Sequence, residues 1–283
     1  MAELLKGAPV AAVLTEDVAA RCGALRERGV IPTLAVVRVG ENPSDISYEA
    51  AVVKRCGKAG IEVKGFPLPD DCEQARLLDV IRTVNGDRSI HGCLLFRPLP
   101  DRAMEAAACE LLDPAKDVDG MTAASLAGVF AGTGAGFPPC TAQACLEILD
   151  HYGVKLSGKH AVVVGRSLVI GRPLAMLLQS RDATVTMCHS KTKDLPALCR
   201  SGSVLVAAAG SAGLIGASCA AAGQVVLDVG ANVDGDGSLR GDVDFEAVEP
   251  IVGALTPVPG GVGTVTTAVL CKHVIEVAER AAK

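Results

Sequence analysis

The run AVVVGRSLVIGRP (161–173) sets Gly165, Ser167 and Gly171 at a spacing that could wrap a strand-to-helix turn around phosphate. Gly165 would allow the tight turn, and Gly171 the close packing of the following helix. Ser167 stands where a dinucleotide-binding turn usually has its middle glycine, and its hydroxyl could donate to a phosphate oxygen. The helix N-terminus would add amide donors and partial positive charge. About 20 residues on, an NAD-binding domain usually places Asp or Glu on the ribose hydroxyls. Here ATVTMCHS (183–190) runs into Lys191 and offers His189 and Ser190 but no acid. A hydroxyl, a lysine and Arg166 suit a 2′-phosphate better than bare ribose. NADP is therefore favoured over NAD, which would need an inorganic phosphate beside it.

Other chemistries are poorly supplied. The chain has 283 residues, a net charge of −5, two Tyr, five Phe and no Trp. No basic run could track a phosphate backbone, and few rings could stack on bases, so a nucleic-acid partner is not expected. The eleven cysteines are odd in number and never arranged as C-x-x-C, which reads as reduced, buried thiols in a cytoplasmic protein. The five histidines neither cluster nor sit beside paired cysteines, so no metal site is expected. Ser201 to Leu227 is uncharged but carries five glycines and breaks into strand, turn, short helix and strand. It reads as part of a buried sheet rather than a membrane span.

The elements that must position the turn alternate along the chain. TLAVVRVG (33–40), IEVKGFPL (61–68) and SIHGCLLF (89–96) read as strands. SDISYEAAVVKRCGKAG (44–60), with Ser44 as N-cap and Gly60 as stop, reads as a helix, as do CEQARLLDVIRTVNG and AMEAAACELLD. The Gly/Pro-rich AGTGAGFPPCT (131–141) marks a junction. A second series follows, with strands HAVVVG, ATVTMCHS, SVLVAAAG and QVVLDVG and a helix at GRPLAMLLQSR. The pattern predicts two α/β domains with mainly parallel sheets. A Pro/Gly-rich loop, TPVPGGVG (256–263), opens into a terminal helix.

Taken together, VG-x-x-P-S-x-x-Y (39–48), RPLP (97–100), DPAKDVDG (113–120), PPCT (138–141), VVGRSLVIGRP (163–173), TVTMCHSKT (184–192), LDVGAN (227–232), GDVDF (241–245) and TPVPGGVGTVT (256–266) resemble the methylenetetrahydrofolate dehydrogenase/cyclohydrolase family over essentially the full chain. The resemblance implies two α/β domains flanking a cleft, with a homodimer formed through the nucleotide domain. Residues 1–137 and the C-terminal helix 265–283 would form the folate-binding catalytic domain, and 138–264 a Rossmann-type NADP-binding domain. It assigns Gly165, Arg166, Ser167, Gly171, Ser190 and Ala231 to NADP. Tyr48, Asp119 and the Pro259, Gly260, Gly261 and Gly263 loop fall at tetrahydrofolate. Asp119 would hold the pterin amino and ring nitrogens, which suits an acceptor-only carboxylate.

Two departures matter. The family helix reads Y-x-x-x-K, with the lysine central to hydrolysis, but Tyr48 is followed at that spacing by Val52. The family strand reads D-G-I-L-V-Q-L-P-L-P, whereas HGCLLFRPLP puts His91 at the aspartate, Phe96 at the glutamine and Arg97 at the next leucine. Lys54 lies on another helix face, Arg55 about 10 Å further along the axis, and Arg97 is expected on the far side of the strand from Phe96. Hydride transfer from 5,10-methylenetetrahydrofolate needs orientation, whereas hydrolysis of the methenyl product needs proton transfer. The expected activity is NADP-dependent oxidation with little or no cyclohydrolase, beside a separate hydrolase. The alternatives are a bifunctional enzyme recruiting Arg55, Arg97 or His91, a different NADP-linked oxidation, and a non-catalytic folate binder. Thr264 and Val265 also replace the proline and methionine usual after GVG.

Overall fold

An uninterrupted apolar strand such as TLAVVRV has no polar face to turn to solvent, so it must be covered on both sides. The computed structural model, which describes residues 2–235 and 237–282, meets that demand with parallel sheets. The chain order begins β1 (Glu3–Leu4), α1 (Gly7–Glu27), β2 (Thr33–Val39), α2 (Pro43–Ala59), β3 (Glu62–Leu68), α3 (Gln74–Gly86), β4 (Gly92–Leu95), α4 (Arg102–Leu111), α5 (Ala123–Ala131) and α6 (Cys140–His151). It continues β5 (His160–Val164), α7 (Gly171–Gln179), β6 (Thr184–Cys188), α8 (Leu195–Ser201), β7 (Val204–Ala207), β8 (Val225–Asp228), β9 (Asn232–Val233), β10 (Leu239–Arg240), α9 (Phe245–Val248), β11 (Ala254–Leu255) and α10 (Val262–Ala281).

Two compact units divide the chain. One comprises Ala12–Cys140 with the C-terminal residues from Thr267 onward. Its sheet runs β3–β2–β4, all parallel, with β2 central. Val37, Leu77, Ile81, Leu95 and Ala108 pack the core between this sheet and its helices. α2 starts at Asn42 rather than Ser44: the Asn42 side chain accepts the Ser44 N–H at 3.0 Å. It stops at Gly60, whose φ of 79° is the left-handed turn that favours glycine.

The other unit comprises Thr141–Thr266 with the N-terminal residues through Ala11. Its six-stranded sheet has the order β1–β11–β8–β7–β5–β6, every pairing parallel. Residues 1–137 do not all fall in one unit, because β1 extends this sheet by pairing with β11. Strand order reverses at β5, which is flanked by β6 and β7. The carboxyl ends of β5 and β7 therefore splay into the crevice where such sheets bind ligands. Among the described residues no helix is long and apolar enough to cross a membrane, and no three His, Cys, Asp or Glu gather as metal ligands. Each of the eleven cysteines is a free thiol.

Candidate functional site

In the unit built on β5, the turn after Val164 is set by backbone crowding. Gly165 has φ 133°, and a Cβ there would run into the Ala208 carbonyl at the end of β7. A Cβ at Gly171 would strike the Gly165 carbonyl. Ser167 Oγ accepts the Ile170 N–H at 3.1 Å, which closes the turn and leaves its hydrogen to donate elsewhere. Beside it, His189, Ser190, Lys191 and Thr192 form a pinned loop. His189 N–H donates to Thr192 Oγ1 at 2.8 Å, and Lys191 N–H to His189 Nδ1 at 3.1 Å. Gly165, Arg166, Ser167, His189, Ser190 and Thr192 line one pocket of about 510 Å³; Lys191 is not in its wall. The hydroxyls of Ser167, Ser190 and Thr192, a guanidinium and a helix N-terminus around a crowded glycine turn fit a phosphorylated dinucleotide.

Ala231 lies in a second pocket of the same unit, about 400 Å³, with Pro259, Gly260, Gly261 and Gly263. The terminal loop thus shares a pocket with a residue expected at NADP, although it was expected at folate. Thr264, in place of the family's proline, donates its N–H to Gly261 O at 3.1 Å. Asp228 and Asp242 support this pocket. Asp228 accepts the N–H groups of Gly230, Asp242 and Val243 at 2.9–3.0 Å. Asp242 accepts those of Ala209, Gly210 and Ser211 at 2.6–2.9 Å. The LDVGAN and GDVDF runs are therefore backbone clasps, which their spacing alone does not reveal.

In the unit built on β2, Tyr48, Phe96 and Asp119 come together. The Tyr48 and Phe96 rings meet edge-to-face, 5.7 Å between centroids at 69°. Asp119's charge acts on the Tyr48 hydroxyl, which burial first and that charge second push far above its usual range, leaving a neutral phenol. Burial raises the Asp119 carboxyl, opposed chiefly by Arg97 and then by Cys140. Cys140 is itself held as a neutral thiol by burial and by Asp119. Val52, one turn beyond Tyr48 on α2, is 1% exposed, and Phe96 is 8% exposed. Both expected hydrocarbon replacements thus sit in packed surroundings.

The KDVDG residues divide the labour. Lys116 Nζ donates to the carbonyls of Val84, Asn85 and Asp87 at 2.6–3.0 Å, closing the end of α3. Asp117, fully buried, accepts the N–H groups of Met121 and Thr122 at 3.0 and 2.8 Å. Asp119 instead faces Cys140, whose thiol and backbone N–H both favour its ionised form.

Of the three substitute groups, two are committed elsewhere. Arg55 donates to Thr15 and Thr267 hydroxyls at 3.1 and 3.4 Å. His91 sits at the opposite end of β4 from Phe96, its Nδ1 accepting the Thr33 N–H at 3.2 Å. Burial, then the Lys116 charge, lowers its pKa and keeps it neutral. Arg97 differs from expectation. β4 ends at Leu95, so strand alternation does not govern Arg97, and its charge reaches Asp119. Cys140 is the site residue that sequence reasoning missed; Arg97 was named only as a substitute catalytic group, and its facing was expected to be the opposite one.

Two family models match the chain. Residues 139–282 match the tetrahydrofolate dehydrogenase/cyclohydrolase NAD(P)-binding domain, and residues 5–119 the catalytic domain of the same family. The chain is 47% identical over 281 residues to the bifunctional protein FolD of Carboxydothermus hydrogenoformans, covering 99% of this chain and 98% of that one. It superposes on the crystal structure of the bifunctional methylenetetrahydrofolate dehydrogenase/cyclohydrolase of Campylobacter jejuni with a TM-score of 0.96 at 36% identity, covering 99% of each chain. The enzyme of Trypanosoma brucei, solved with NADP cofactor and inhibitor, gives a TM-score of 0.94 at 30% identity, covering 100% of this chain and 99% of that one.

Proposed function

The chain belongs to the tetrahydrofolate dehydrogenase/cyclohydrolase family, and from that premise we propose that it oxidises 5,10-methylenetetrahydrofolate to the 5,10-methenyl form with NADP, and that its cyclohydrolase activity is weak or absent. The observation that carries this reading is the pair Val52 and Phe96, buried beside Tyr48 where the family pattern has lysine and glutamine.

The two reactions ask for different things. Oxidation takes a hydride from the one-carbon bridge while a folate nitrogen lone pair fills the vacated orbital, so no proton moves. NADP, when bound, supplies the hydride acceptor. The chain then has to orient: Asp119 accepts the pterin N–H groups, Tyr48 presents a neutral ring and hydroxyl, and Arg166, Ser167 and Ser190 hold the dinucleotide phosphates. Hydrolysis needs water to lose a proton and a ring nitrogen to gain one. General acid–base help there is worth about 10²–10⁴-fold, and hydrocarbon at 52 and 96 offers none.

A bifunctional reading is favoured by two observations. The C. hydrogenoformans relative carries the name bifunctional, and Arg97 puts a cation beside Asp119. Against it, a guanidinium does not give up its proton near neutral pH and so makes a poor base. A paired assay on one purified sample separates the readings. It follows NADPH formation from the methylene substrate and, separately, loss of methenyl absorbance above the uncatalysed rate. Reduction without hydrolysis supports the monofunctional reading; comparable hydrolysis overturns it. We further propose a homodimer through the nucleotide-binding unit, working in the cytoplasm, where eleven free thiols stay reduced, beside a separate hydrolase.

A further inference from the structure

Arg97 is the charged group of this unit whose presence packing does not explain. It follows Phe96 directly after β4 ends, half-buried. Its Nε is buried with no hydrogen-bond partner, the one such side-chain nitrogen or oxygen among the described residues. A structural ion pair would account for it, but none forms among the described residues. The two acids that follow in sequence are engaged elsewhere: Asp101 accepts the Ala103 N–H at 2.7 Å and Glu105 on α4 accepts the Leu99 N–H at 2.8 Å. Asp119 feels the Arg97 charge without a hydrogen bond between them.

An arginine carries only donors and an aspartate only acceptors. Within reach of each other's charge and unbonded to each other, they complement a ring edge on which N–H groups adjoin a carbonyl oxygen. Resting on the folate reading above, we propose that Arg97 is a further substrate-binding and specificity-determining residue of this chain: Asp119 takes the N–H donors of the pterin ring while Arg97 donates to its carbonyl edge. The leucine of the family pattern could not do this. Arg97 thus gives this chain a polar ring contact in the same turn where Phe96 removes one.

Two variants of the full-length protein test the assignment, Arg97→Leu and Arg97→Lys. Binding of tetrahydrofolate is measured by titration calorimetry, alongside kcat and KM for methylenetetrahydrofolate across pH. Arg97→Leu is expected to weaken tetrahydrofolate binding and raise KM by about 10–100-fold, with a much smaller change in kcat. The acid limb of kcat/KM should move to higher pH, because a positive neighbour that favoured the Asp119 carboxylate is gone. Arg97→Lys keeps the charge but not the planar donor, so it should hold the limb near its original pH and recover only part of the binding. If Arg97→Leu folds but binds tetrahydrofolate as tightly as the parent, the proposal is overturned. If Arg97→Leu does not fold, an unchanged dissociation constant for Arg97→Lys overturns it equally. Loss of binding in Arg97→Leu by a parent that binds folate yet oxidises nothing would sink the dehydrogenase reading and leave this one standing.

Discussion

Phe96 meets Tyr48 edge-on, ring centroids 5.7 Å apart at 69°, so a packed aromatic pair forms one wall of the candidate site. Such a pair contributes about 0.5–1.5 kcal/mol beyond area burial. Val52, one turn beyond Tyr48 on the same helix, is buried.

Reversion should restore hydrolysis. The double substitution Val52→Lys with Phe96→Gln is expected to raise methenyltetrahydrofolate hydrolysis about 10²-fold over the parent. It should also lower the melting temperature, since an ammonium replaces a side chain only 1% exposed and the aromatic pair is lost. Methenyl absorbance decay and a thermal melt on the same sample read both effects. A folded double variant with no gain in hydrolysis would show that the missing pair is not the cause.

Asp119 predicts a pH dependence with a definite sign. Burial raises its carboxyl above the ordinary 3.8. Folate binding through pterin N–H groups requires the ionised form, so kcat/KM should fall as pH drops through that raised value. The decline should begin at higher pH than for a solvated aspartate. Asp119→Asn should cost on the order of 10²-fold in kcat/KM, because it places an amide N–H against ring donors, and should flatten the acid limb. A limb that persists unshifted in Asp119→Asn belongs to another group.

The dinucleotide turn can be broken at one atom. Gly165→Ala adds a Cβ directed at the Ala208 carbonyl, at φ 133°. The expected cost is about 1–3 kcal/mol of stability, with NADP binding lost before folate binding. Calorimetry with each ligand, at a temperature where the variant remains folded, distinguishes the two. Arg166→Ala and Ser190→Ala should instead weaken NADP by about tenfold each while changing NAD little. Equal losses for both dinucleotides would remove the 2′-phosphate assignment.

His91 should prove to be a fold residue. His91→Ala leaves the buried Thr33 N–H without its acceptor, at a cost of about 1–3 kcal/mol in denaturant unfolding. Turnover per folded molecule should match the parent, because His91 lies at the opposite end of β4 from Phe96. A fall in kcat with stability intact would return His91 to the list of substitute groups.

What the sequence alone determined was local and periodic. The buried strands Thr33–Val39 and His160–Val164, the Gly165 turn and the Gly60 stop follow from apolar runs and from glycine's access to positive φ. That a valine, Val52, stands four residues after Tyr48 was legible as a count. Sequence reading put the helix cap at Ser44, not at Asn42, two positions earlier, because several residues near a helix start can accept the same N–H. It did not announce α1, whose apolar residues form no single stripe. Tertiary structure alone decided the partners of two neighbouring aspartates that share a motif: Asp117 meets the amides of Met121 and Thr122, whereas Asp119 meets Cys140 and the charge of Arg97. It also decided where Arg97 sends its charge. Alternation rules a residue only while the strand lasts, and β4 stops two positions before it.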